Sequence, residues 1–173
     1  MQKNGGWSCR SHPPKNRGRI ALKNSIKMIH FVDVLLKDIF QMGREYPWNK
    51  PDKCPCCGNW KLWGHGFVSA FFHGFSSAIW LKRYRCPSCG CIIRMRPASH
   101  FSRFQSSRHT IRSTLLHRIN TGRWPKGSCK SRQRHWLKNL KRHMKAWLDT
   151  KTEPAKAFDL LLNQGKTPVT SAI

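Results

Sequence analysis

Acid is what this chain lacks. Its 173 residues include seven Asp and Glu against 33 Lys and Arg, a formal charge of +26. The shortage is uneven. Residues 53–148 carry 20 Lys and Arg and no Asp or Glu, residues 1–24 carry six and none, and residues 25–52 and 149–173 are near neutral. Two-metal nucleases, polymerases and most transposases hold Mg²⁺ with clustered carboxylates. The acids here, Asp33, Asp38, Glu45, Asp52, Asp149, Glu153 and Asp159, are scattered. No Ser-His-Asp arrangement and no glycine-rich phosphate loop is present, and only Tyr46 and Tyr84 could serve as a tyrosine nucleophile. The expectation is a protein without a catalytic centre of its own.

Long apolar runs are also missing. Residues 64–81 contain no Lys, Arg, Asp or Glu, a length that touches the lower bound for a membrane span, but His65, His73, three glycines and three serines interrupt it. Residues 1–24 are polar and basic and lack the apolar core of a signal peptide, so they read as a disordered arm. A cytoplasmic protein without a membrane partner is expected, nucleoid-associated when bound to DNA.

Cysteine, by contrast, is plentiful and patterned. CPCCG (54–58) and CPSCGC (86–91) are separated by a long insert. A two-residue gap lets both thiolates of a tight turn face one ion, and four thiolates satisfy tetrahedral Zn²⁺. Cys54, Cys57, Cys86 and Cys89 are therefore the expected ligands. A thioredoxin-like redox pair would need one such motif in a βαβ unit, and that pattern is absent. Cys56 and Cys91 read as spectators. Cys9 and Cys129 have no partner in the pattern, and His65 and His73 read as surface or packed residues.

The 28 residues between Cys57 and Cys86 suit a hairpin that closes a zinc ribbon over residues 50–97. Residues 67–72 and 78–85 are aromatic and β-rich, with a loop at 73–77 and a third strand at Ile92, Ile93 and Met95. Ahead of the ribbon, Ile26, Ile29, Val32, Leu36, Ile39 and Phe40 predict a helix over 25–43, ending at Gly43 and leading into the ribbon by residue 49. After it, 97–106 reads as a linker. Residues 107–120 predict a helix capped by Ser106 or Ser107. A turn at 123–128 anchored by Trp124 follows, then a helix capped by Ser128 or Ser131 and running to about Leu148. Its predicted buried stripe is Trp136, Leu137, Leu140, Met144 and Trp147. A last short helix, 152–163, is capped by Thr152, and the tail reads as loose. The expected fold is a small α+β zinc protein: a ribbon flanked by an N-terminal helix and a helix-turn-helix-like pair over 98–150.

An uninterrupted basic block points at a polyanion, and nucleic acid is the commonest. Lys82, Arg83, Arg85, Arg94 and Arg96 flank the second cysteine turn and could straddle a phosphate backbone. On the second helix, Lys130, Arg132, Gln133, Arg134, Lys138, Lys141 and Arg142 are the candidates. Arg suits guanine edges and Gln suits adenine edges in a major groove. The turn between the helices is longer than the usual three to four or so residues. An ordinary helical hairpin that touches only phosphate is the alternative. Eight Trp and nine Phe leave a second alternative, an RNA-binding zinc protein that stacks bases on aromatic rings. Exposure of Trp60, Trp63 and Trp80 would favour it.

Through CPCCG, WGHG (63–66), KRYRCPSCG (82–90) and RWP…SRQRHWLKNL (123–140), residues 50–148 resemble the zinc-ribbon, helix-turn-helix proteins of bacterial insertion sequences and related mobile elements. The resemblance implies a DNA-binding regulator or transposase accessory. Its partners would be element-end DNA and a separate recombinase, or a second copy of the chain.

Overall fold

The computed structural model describes residues 26–127, 129–149 and 151–171. The basic arm expected over 1–24, with Cys9, lies outside them. The described residues form a small α+β fold with four strands and four α-helices: β1 Lys27–Val32, α1 Leu36–Met42, β2 Trp63–Ala70, β3 Ile79–Arg85, β4 Ile92–Pro97, α2 Arg108–Thr121, α3 Lys130–Trp147 and α4 Pro154–Asn163. The sheet order is β1-β4-β3-β2, with β1 parallel to β4 and the other pairs antiparallel.

The helix expected over 25–43 is corrected. Residues 27–32 form a strand, and the helix is confined to Leu36–Met42, ending at Gly43 with φ +59°. Ile29, Val32 and Leu36 fit a helical stripe, but Lys27–Val32 also alternates exposed and half-buried with period two. Pairing with β4 decides between them, because Ile29, Phe31 and Val32 suit a pleated, half-buried surface. Gly66, at φ +67°, sits in a bulge where the β2–β3 register slips between Gly64 and Phe67.

Among the described residues three apolar clusters hold the fold. The first, around the cysteine turns, is small: Leu62, Tyr84, Ile93 and Met95 with Cys54, Cys86 and Cys91. The second, Ile39, Phe72, Ile79 and Leu81, seats α1 on the sheet. The third fills the helical unit with Phe101, Phe104, Ile111, Leu115, Trp136, Leu140, Ala157, Phe158, Leu161 and Val169.

The segment read as a linker is therefore structural. Phe101 and Phe104 are buried in the helical core, and Arg96 donates to their carbonyls from Nε (3.0 Å) and Nη2 (2.5 Å). Phe72 meets His100 edge-on at 4.8 Å, and the Arg108 guanidinium lies over Phe101 at 4.8 Å. These contacts lock the sheet to the helices.

Ser107 caps α2 by accepting from the Thr110 N–H, and Gly122 closes it at φ +70°. Trp124 is held under the Arg118 guanidinium, as its anchoring role required. Cys129, not a serine, occupies the N-cap of α3 and makes no side-chain capping bond; Ser128 lies outside the described residues. Glu153, not Thr152, occupies the N-cap of α4. Trp147 is 57% exposed rather than buried, with Lys166 Nζ over its ring. The tail expected to be loose packs inward at least to Ser171: Val169 is in the core, and His143 bonds the Thr167 carbonyl.

Candidate functional site: a four-thiol centre and a basic helix

Two matching turns present the cysteines. In the first, the Gly58 N–H donates to the Cys54 carbonyl (2.8 Å) and the Cys54 N–H to the Asn59 carbonyl (2.8 Å). In the second, the Gly90 N–H donates to the Cys86 carbonyl (3.0 Å) and the Cys86 N–H to the Cys91 carbonyl (2.9 Å). Gly58 and Gly90 sit at φ +74° and +72°, a conformation glycine adopts without a Cβ clash. An Asn59–Ser88 side-chain hydrogen bond clasps the turns together.

The four sulfurs lie within 4.8 Å of one another, with Cys54–Cys89 at 3.7 Å and Cys57–Cys86 at 3.6 Å. A tetrahedron of thiolates with metal–sulfur bonds of about 2.3 Å has edges of about 3.8 Å. The cluster could therefore hold a metal ion. Backbone N–H groups of Cys89 and Ser88 outweigh burial at Cys86 and bring its thiol down to about 6. Burial pushes the Cys54 thiol up, but the N–H groups of Cys57 and Cys56 bring it net below its usual value. Cys57 and Cys89 each accept a backbone N–H that favours thiolate, yet burial and the neighbouring thiols shift both upward. A cation would resolve that competition by letting all four ionise. Cys56 is exposed, and Cys91 is buried with its thiol pushed up to about 11; neither joins the cluster. His65 and His73 also stay outside it.

The strand cations divide. Ile93 and Met95 face the thiol-side core, so Ile92, Arg94 and Arg96 share the opposite face of β4. Arg83 lies directly across from Arg94, and Arg85 across from Ile92. Arg85 is exposed, whereas Lys82 is half-buried with Nζ 4.4 Å from the centre of the Phe67 ring. Arg96 is only 4% exposed and is committed to the two carbonyls described above, so its expected role on a phosphate backbone gives way to a structural one. Burial, then the Arg94 charge, brings its guanidinium down to about 10.

On α3 the expected set splits again. Lys130, Arg134, Lys138, Lys141, Arg142 and Lys145 are exposed. Residues 130, 134, 138, 141 and 145 repeat at spacings of four and three, one stripe of the helix. Gln133 is fully buried, and its Nε2 lies 3.3 Å from the Pro125 carbonyl, which accepts from it. Its assignment as an adenine reader is corrected: it pins the turn to the helix. Arg132 is half-buried beside Trp136 and Arg103. The ion pair Arg112–Asp159 ties α2 to α4, and Lys156–Glu153 lies at the start of α4. Neither touches the α3 stripe.

The sequence missed Lys27 and Arg103. One stands on a strand read as helix, and the other lies in a segment read as linker. Both join Arg83, Arg94 and Arg96 around one cleft.

Among the described residues no helix is long and apolar enough to cross a membrane. No family model, no curated protein and no solved structure matches this chain. The functional reading therefore stands on its own residues.

Proposed function

We propose that this chain is a Zn²⁺-dependent duplex-DNA-binding protein that uses α3 as its contact element. Zn²⁺ is the ion that four thiolates in a tetrahedral cage select, and its role is structural. The carrying observation is the exposed stripe Lys130, Arg134, Lys138, Lys141 and Lys145, set in a stretch from 53 to 148 without a carboxylate. Phosphate neutralisation supplies affinity, and Arg134, exposed near the N-terminal end of the helix, is the residue assigned to a guanine edge. Eight residues separate α2 from α3, so the pair supports a helix-turn-helix reading only in outline. The resemblance to mobile-element proteins favours a regulator or transposase accessory acting beside a separate recombinase, without catalysis by this chain.

The test is competition on zinc-loaded protein between duplex DNA and equal lengths of duplex and single-stranded RNA, at rising salt. Duplex DNA is expected to keep its advantage as salt removes the nonspecific affinity. Arg134→Ala is expected to flatten sequence preference, and Lys141→Ala to weaken all duplexes alike. Equal losses on every sequence from both variants would remove groove reading.

A second reading has its own support. Trp60 and Trp63 are 75% and 55% exposed, as base stacking on RNA requires, although Trp80 is half-buried under Arg44. Quenching of tryptophan fluorescence by single-stranded RNA but not by duplex DNA would replace the first reading with this one.

A further inference from the structure

The sheet face opposite the thiol centre forms a cleft of about 360 Å³ against the segment at 102–103. That volume falls in the range of small-molecule sites, about 300–1,000 Å³. Among the described residues five cations line it, namely Lys27, Arg83, Arg94, Arg96 and Arg103, and no carboxylate does. Apolar side chains flank the arginines of the two central strands, Ile29 on β1 and Val68 on β2.

Three observations indicate that these cations are arranged for an anion rather than spread on a surface. Arg83 and Arg94 stand directly opposite on adjacent strands, where like charges repel. The Nε atoms of both are shut off from solvent and have no hydrogen-bond partner among the described residues. Arg103, at φ +66°, is the one described non-glycine residue in the left-handed region, a strained conformation at the cleft's rim. Burial, then the Arg83 charge, also lowers the Arg94 guanidinium. A phosphate offers three acceptor oxygens and about two negative charges to several guanidinium forks, whereas a carboxylate offers two oxygens and one charge.

We propose that this cleft binds a nucleoside phosphate, with the phosphate held by Arg83, Arg94 and Arg103 and the sugar or base laid on Ile29, which pairs directly with Arg94. The site is separate from α3 and rests on the nucleic-acid reading only for the source of the ligand. That source is the 5′-phosphorylated end of a single strand or a free nucleotide.

The test uses the full zinc-loaded chain at a salt concentration that suppresses nonspecific binding. Three probes are titrated: a single-stranded oligonucleotide with a 5′-phosphate, the same strand with a 5′-hydroxyl, and adenosine monophosphate. The expected result is at least about tenfold tighter binding of the phosphorylated end. The Arg83→Gln/Arg94→Gln double variant should erase that preference, and Lys138→Ala/Lys141→Ala should leave it intact. Saturable binding of adenosine monophosphate that needs the same arginines, without an end preference, supports the site with a free nucleotide as its ligand. Equal affinity for both strand ends together with no binding of the nucleotide overturns the proposal. So does a preference that survives the double variant. Arg103→Ala, on an exposed segment, provides a second variant if the double one loses zinc or its circular dichroism. Duplex DNA affinity of the double variant, expected to hold, separates failure of the cleft from failure of the α3 interface.

Discussion

The two halves of the molecule are held together by different means. The helical unit, from Ala98 onward, has a ten-residue apolar core with four aromatic rings: Phe101, Phe104, Trp136 and Phe158. The sheet unit, up to Pro97, divides its core into two small clusters, and three of the seven buried residues around the turns are cysteines. One half buries a contiguous apolar core; the other carries, beside its small clusters, four thiols that could hold a metal ion between its turns. The charges differ in the same way. Helical cations stand out along α3, whereas Arg83 and Arg94 turn into a cleft and Arg96 into the junction, leaving Arg85 as the exposed arginine of β3.

Removing the metal should break the comparison most sharply. Structural Zn²⁺ contributes about 10–16 kcal/mol in small domains at neutral pH. With a strong chelator, or in Cys57→Ser or Cys86→Ser, the sheet unit is expected to lose its amide-exchange protection while much of the α-helical circular dichroism remains. A Cys57→Ser protein with full metal content and an intact sheet would sink the ligand assignment. The reciprocal change is Trp136→Ala in the helical core, expected to cost about 3–5 kcal/mol. Its thermal unfolding should move down sharply while metal stoichiometry is kept.

The junction offers a smaller, pH-dependent effect. Burial, then the charges of Arg96 and Arg108, brings His100 down to about 4. A depressed value means that the folded state holds the neutral ring. Its contribution is fully present above the unfolded value, near 6.5, and is lost as pH falls toward 4. Denaturant midpoints should fall over that window, by up to about 3 kcal/mol in stability. His100→Gln should flatten the decline; an unchanged pH profile in that variant would show that His100 does not titrate between the halves as described.

Smallest of all is the Arg112–Asp159 pair. Both side chains are more than two-fifths exposed, so solvent screens it, and Asp159→Asn is expected to cost no more than about 1 kcal/mol. The bond to Arg112, then its charge, hold the Asp159 carboxyl below its ordinary value despite some burial. Its contribution is present above that ordinary value and disappears as acid protonates it. Wild type and variant should therefore converge in stability below about pH 3.

What could be read from the residues follows from the range of the interactions involved. The cysteine turns were legible because two-residue spacing and glycine at positive φ are local requirements. The helix over 107–120 and its cap at Ser106 or Ser107 were legible for the same reason, and Ser107 is the cap. Strand β1 was not, because Lys27–Val32 satisfies both periods and only its pairing with β4, 60 or more residues away, selects one. Arg96 and Gln133 look like surface groups in a basic stretch. Their burial depends on carbonyls at Phe101, Phe104 and Pro125, which folding brings within reach. The arginine cleft is assembled from four strands and a loop, so no window of sequence contains it.

The most direct measurement is the salt dependence of duplex-DNA binding by wild type and by Arg134→Ala/Lys138→Ala/Lys141→Ala, both zinc-loaded. If α3 lies on the phosphate backbone, the slope of log affinity against log salt should become shallower by about two to three in the triple variant, near one for each lost contact. An unchanged slope and affinity would show that the duplex, if bound at all, is held elsewhere.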